Sequence, residues 1–198
     1  MLTRLTSFLS PERIRDRAKL TRFVSGEASY VAQRSTYEFS RNTLAWYGQA
    51  AFGDPKFNEV FAVCRWEAFA AIAADMTVIV RFHLDGGQRI DPALLRVYAD
   101  ALGEYPDPVH RPEGWRDRHA ALLSRFAGVA SDHRPDLKAM GHRTGVMIHE
   151  HVPARSNNVE EERAVLAAAV TFGLVSFKDR LPRRLDAEAL RRVLAGTA

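Results

Sequence analysis

From Asp54 to Phe82 the chain meets no interruption to a helix: after Pro55 there is neither proline nor glycine until the turn signal Asp85-Gly86-Gly87. Gly53-Asp54-Pro55 ends whatever precedes it and starts this segment, since proline at a first helical position gives up only an N–H that has no partner there. Residues 54 to 82 rise about 43 Å as a helix, while a domain of this size has a radius of gyration of about 16 Å. The predicted rod crosses the whole molecule. Its few polar residues are scattered around the axis, the pattern of a helix enclosed on all sides. The β-rich piece "MTVIVRF" (76 to 82) continues it without a break. A membrane crossing from Val60 to Val80 would place Arg65, Glu67 and Asp75 in or near hydrocarbon at several kcal/mol each, so burial inside a soluble protein is the better reading.

The rest of the chain reads as helices around this rod. Ser10-Pro11-Glu12 supplies a cap, a first-turn proline and an acid, predicting a helix over about 11–23. Before it stand Leu2, Leu5, Phe8 and Leu9, and within it the basic run Arg13, Arg15, Arg17, Lys19 and Arg22. Residues 1–10 are expected to form a mobile or docking N-terminal segment, or with the run to residue 22 to touch an anionic membrane surface peripherally. After Gly26 a second helix is expected to reach Gly53, with Ala32, Phe39, Thr43, Trp46 and Ala50 on one face and Arg34, Glu38, Arg41 and Ala45 opposite. Further helices are predicted over Pro92 to Leu102, Pro112 to about Ala130, Pro135 to about His151 and Asn158 to about Arg180, with a last one after Asp186. Asn158 and Glu161 resemble a capping box, and the uncharged "AVLAAAVTFGLVSF" (164 to 177) predicts a second buried helix. No alternating strand pattern and no internal repeat is visible. The expectation is an all-α, single-domain bundle of about seven or eight helices spanning 1–198, with a long buried central helix.

The charges of that helix need partners. Arg65 and Glu67 project about 200° apart and cannot satisfy each other, and an unpaired buried charge would erase much of a domain's stability. Arg65 can open to water at its end of the helix. The tight connection to the preceding helix allows an inter-helix network in which Arg34, Glu38 and Arg41 face Arg65, Glu67 or Asp75, with Tyr30 and Tyr37 alongside; the alternative is that the Arg34-Glu38-Arg41 stripe is a solvated face and the central-helix charges lie near its ends.

Composition limits the chemistry. A 46% hydrophobic, 26% charged chain folds. A net charge of +4 is a weak electrostatic signal, and with lysine only at 19, 56, 138 and 178 the arginine richness reads first as the mark of a GC-rich, bacterial kind of genome. Cys64 is the sole cysteine, so no intrachain disulfide forms, and a packed thiol in an apolar helix is favoured over a nucleophile. Without a signal-peptide pattern, a cytoplasmic location is the expectation. No Glu-x-x-His occurs for a di-iron bundle. His142, His149 and His151 lack the spacing of a zinc helix and read as surface or capping residues, so neither a metal nor a cofactor is expected. There is no nucleophile elbow, phosphate loop or dinucleotide fingerprint. Nucleic-acid binding is disfavoured because the basic clusters are interrupted by acids and carry no interleaved aromatics. In "HRPEGWRDRH" (110 to 119), Pro112 and Glu113 start a helix that Trp115 docks on the body.

Two functional expectations follow. One is a non-catalytic protein that binds a protein partner or its own copy, which needs a contiguous exposed apolar patch. The other is an enzyme or binder of a small anion, with a site between the second and third helices built from Arg34, Tyr37, Glu38, Arg41 and Glu67, which needs a cavity of at least about 300 Å³.

Overall fold

Asp16 begins the first helix. Its side chain accepts from Lys19 N at 2.8 Å, capping α1, Arg17–Leu44. The structure, a computed structural model, describes residues 13–45, 48–84, 87–128 and 134–196. The helix start expected at Ser10-Pro11-Glu12 lies outside these residues. Where two helices were predicted on either side of Gly26, α1 is continuous. Gly26 is exposed and a Cβ there would meet nothing within 4 Å, so it costs only its low helix propensity, about 1 kcal/mol. The buried stripe of Leu20, Val24, Ala28, Val31, Ala32 and Phe39 outweighs that cost. The helix ends earlier than predicted, at Ala45, which takes φ 46° while its N–H bonds to Arg41 O. A short α2, Gly48–Gly53, follows.

The central helix α3 runs Pro55–Leu84 and packs against every other α-helix. Its first turns stand clear of the body, with Val60 46% exposed, and it is enclosed from Glu67 to Arg81. α4, Asp91–Leu102, begins with Pro92 and buries Leu94, Val97, Tyr98 and Leu102. α5, Arg116–Gly128, starts one turn later than predicted. Pro112 sits instead in a pair of turns, with Arg111 N bonding to Pro108 O and Gly114 N to Arg111 O, and Gly114 takes φ +74°.

α6, Leu137–His151, is capped by Asp136, which accepts from Lys138 N and Ala139 N at 3.0 Å. It lies directly on α7, Val159–Arg184. The approach depends on glycine: a Cβ on Gly145 would stand 2.5 Å from Ala167 N, and one on Gly141 2.0 Å from Thr171 Oγ1. α7 passes through Pro182 to its last turn, and Leu185 N closes it on Leu181 O. Asn158 precedes α7, but its side chain donates to the Glu161 carboxylate instead of accepting from a backbone N–H. α8, Ala187–Leu194, is capped by Asp186 and buries Leu190 and Leu194. Ile14 joins the two ends of the bundle, donating its N–H to Arg184 O and accepting from Asp186 N.

Among the described residues there are eight α-helices and no strand, an all-α bundle about a buried central helix. One prediction fails in part. The uncharged stretch of α7, 164–177, buries Leu166, Val170, Leu174 and Phe177 but leaves Val165, Phe172 and Val175 on the surface. Absence of charge marked an apolar helix, and the elements around it cover only one of its sides.

Candidate functional site

The outward stripe of α1 carries Tyr30, Arg34, Tyr37, Glu38 and Arg41, because Val31, Ala32, Ser35 and Phe39 turn the other way into the core. This stripe is the ridge between two hollows. Toward α7 lies a groove of about 640 Å³, whose lining includes Tyr30, Arg34, Glu38, Phe39, Val165 and Phe172. Toward α3 lies a cleft of about 350 Å³, lined by Tyr30, Gln33, Arg34, Tyr37, Phe61 and Arg65. Beyond Gln33 and Arg65, a further hollow of about 270 Å³ extends to Trp66, Phe69 and Tyr105. Aromatic side chains and arginine, the residues that dominate binding surfaces, occupy these rims.

Local interactions set the charge pattern. Arg34 Nη1 donates to Tyr30 Oη at 3.2 Å. Arg41 pairs with Glu38 on its own helix at 2.7 Å. Arg180 forks onto Glu27, tying α7 to α1 below the groove. Arg65 lies over the Phe61 ring, 5.9 Å from its centroid. Among the described residues, neither Arg34 nor Arg65 has a carboxylate partner.

Of the residues expected to form an anion site, Arg34, Tyr37, Glu38 and Arg41 share the α1 stripe, and Arg34 and Tyr37 reach the cleft toward α3. Glu67 is elsewhere. Its carboxylate accepts from Arg111 Nη2 at 2.9 Å, from His110 Nε2 at 3.0 Å and from Arg118. The expected network between Arg34, Arg41 and the α3 acids is therefore not formed. Asp75, fully buried, accepts from Arg125 Nη2 and Thr144 Oγ1, each at 2.6 Å, with Arg143 at 3.6 Å. Arg81 forks onto Asp91 at 2.6 and 3.0 Å and lies over the Phe126 ring. Glu67 and Asp75 thus meet α5, the loop before it and α6 instead of α1.

Nothing in the local sequence marks Arg118, Arg125, Thr144 or Asp91 for these roles. The legible signal is spacing. Arg118 and Arg125 are two turns apart on α5, as Glu67 and Asp75 are on α3, so the helices run parallel where these pairs meet.

Around Glu67 an open hollow of about 590 Å³ is lined by His110, Arg111, Arg116 and Asp117 among others. Burial would raise the Glu67 carboxyl, but hydrogen bonds from Arg111, His110 and Arg118 outweigh it and hold the value at about 2. A carboxylate so fully engaged is a strap for the loop and α5; its lone pairs are taken up by donors. Trp115 is buried as expected, stacked under Arg111 at 4.6 Å. His149, expected at the surface or in a cap, is instead buried, bonded to Glu162 at 2.9 Å, with Phe39 against its ring. Cys64 is buried and its thiol pushed up to about 12 by desolvation, so it is a packing group.

No group of three or more His, Cys, Asp or Glu among the described residues could hold a metal ion, and no helix there is long and apolar enough to cross a membrane. Leu2, Leu5, Phe8 and Leu9 lie outside the described residues. In the basic run behind them, Arg15 meets Asp186 at 3.1 Å and Arg17 meets Asp100 at 3.7 Å. No protein-family model matches this chain, and no curated protein or solved structure matches it either.

Proposed function

We propose that this protein is a non-catalytic helical module that acts by association, and that the partner on its α1–α7 face is a second copy of the same chain. The observation that carries this reading is a knob beside a hole. Phe172 is 68% exposed on α7, next to the groove of about 640 Å³ that it shares with Tyr30 and Val165. A twofold axis across this face would place each Phe172 in the other copy's groove, the self-complementary geometry of a closed dimer.

The charges allow the same partner. Glu27 with Arg180 and Glu38 with Arg41 are neutralised within each copy, so these charges do not repel a second copy across the face. The patch also exposes Tyr30 at 58% and Val165 at 50%, large apolar groups that water would otherwise solvate. Burying one phenylalanine stabilises by roughly 1.5–3 kcal/mol, and a symmetric interface does so twice.

Sedimentation velocity across a concentration series tests this. The parent chain should pass from monomer to dimer as concentration rises. Phe172→Asp should stay folded, since the side chain is on the surface, and should weaken the dimer by about a hundredfold or more. A parent chain that stays monomeric up to its solubility limit, or a dimer indifferent to Phe172→Asp, would overturn the proposal.

A further inference from the structure

The cleft between α1 and α3 has a different chemistry from the α1–α7 groove. We infer that it is a binding site for an organic anion: a molecule with a flat apolar body and one carboxylate, sulfonate or phosphate group. Three aromatic rings, Tyr30, Tyr37 and Phe61, line about 350 Å³ of space, within the range of small-molecule pockets. Arg34 and Arg65 enter the same space from opposite helices, and neither has a carboxylate partner among the described residues.

That pairing is set apart by its place: other arginines, such as Arg22, Arg96 and Arg184, also lack a carboxylate partner among the described residues, but Arg34 and Arg65 share one cavity. Arg81, Arg111, Arg118, Arg125 and Arg180 are all neutralised by carboxylates. Two guanidiniums left unneutralised on one cavity produce a positive local potential. Each is a planar fork suited to two oxygens of an anion, and each can stack on a ring. The phenol of Tyr30 and the amide of Gln33 add hydrogen-bonding groups at the same wall. Inorganic phosphate would meet the arginines but leave the rings unused; a neutral aromatic would do the reverse. The site fits a ligand that carries both parts.

This inference goes beyond self-association and is separable from it. Arg65 and Phe61 line the cleft but not the groove, whereas Phe172 and Val165 line the groove but not the cleft.

The test is a fluorescence titration with 1-anilinonaphthalene-8-sulfonate, an aromatic sulfonate, against its uncharged parent N-phenyl-1-naphthylamine. The sulfonate should bind saturably and more tightly than the neutral compound, and 2-naphthoate should displace it where inorganic phosphate does not. Arg65→Ala and Arg34→Ala, both surface changes, should each weaken sulfonate binding roughly ten- to hundredfold while leaving the neutral compound unaffected. Phe172→Asp should leave sulfonate binding intact. Equal affinity for the charged and neutral probes, sulfonate binding that survives Arg65→Ala, or binding lost with Phe172→Asp would each overturn the inference, the last by placing the probe in the α1–α7 groove. Arg65→Ala should not change the dimer, so failure of either proposal can be told from failure of the other.

Discussion

At Glu67, burial raises the carboxyl pKa and hydrogen bonds from Arg111, His110 and Arg118 more than reverse it, carrying the value from an ordinary 4.5 to about 2. A carboxyl depressed in the folded state contributes stability that is complete above the unfolded value and is lost as pH falls through the folded one. A displacement of this size corresponds to about 3 kcal/mol. Glu67→Gln leaves two part-buried guanidiniums facing a neutral group, and urea unfolding at neutral pH should show a loss of about 2–4 kcal/mol. Its stability should also fall less steeply than the parent's between about pH 5 and about pH 2. An equally steep acid limb in the variant would assign that limb to other carboxylates. The need for partners at Glu67 and Asp75 was legible in the sequence, because apolar neighbours surround both. Which partners they take was not, since Arg111 and Arg125 lie 44 and 50 residues away along the chain. His149 hid for a related reason: its position near a helix end suggests exposure, and only the packing of Phe39 and Glu162 against it removes water.

Among the elements, glycine separates two opposite outcomes. Gly26 is open to solvent in mid-helix, so Gly26→Ala should stabilise α1 by roughly 0.5–1 kcal/mol, read from a thermal melt. Gly145→Ala offers the same gain in propensity but drives a methyl into the backbone of α7, 2.5 Å from Ala167 N. It should destabilise by about 2–3 kcal/mol as α6 and α7 are forced apart. If Gly145→Ala proved as benign as Gly26→Ala, the close contact of these two helices would be wrong. From sequence, Gly26 reads as a break. That reading fails because a glycine's effect depends on what stands where its Cβ would be. Pro112 is similar: a proline followed by an acid looks like a helix start, yet the bonds of Arg111 and Gly114 use it in a turn.

For the whole molecule, protection should follow enclosure. α3 packs against every other α-helix, and from Glu67 to Arg81 all its side chains but that of Ala71 are buried, so the amides of that stretch should exchange with solvent only on global unfolding. α5 is attached through Leu122 and Phe126 with the ion pairs of Arg118 and Arg125, and its amides should exchange by local opening. Hydrogen exchange read by mass spectrometry distinguishes them. Uniform protection of the two helices would contradict this picture of α5 as a strapped-on element.

The sequence by itself determined that the chain is helical, where most helices begin, and that the segment after Asp54 forms the enclosed axis. Those outcomes rest on caps, breakers and periodicity, which act within a few residues of one another. Tertiary structure alone decided that Glu67 and Asp75 turn toward α5 and α6 and leave Arg34 and Arg65 without a carboxylate partner among the described residues. It also decided that α7 keeps one apolar side in water. Such outcomes depend on the rotation of each helix about its axis, and that rotation is fixed by the packing of all the helices together, since no single segment carries enough contacts to set it.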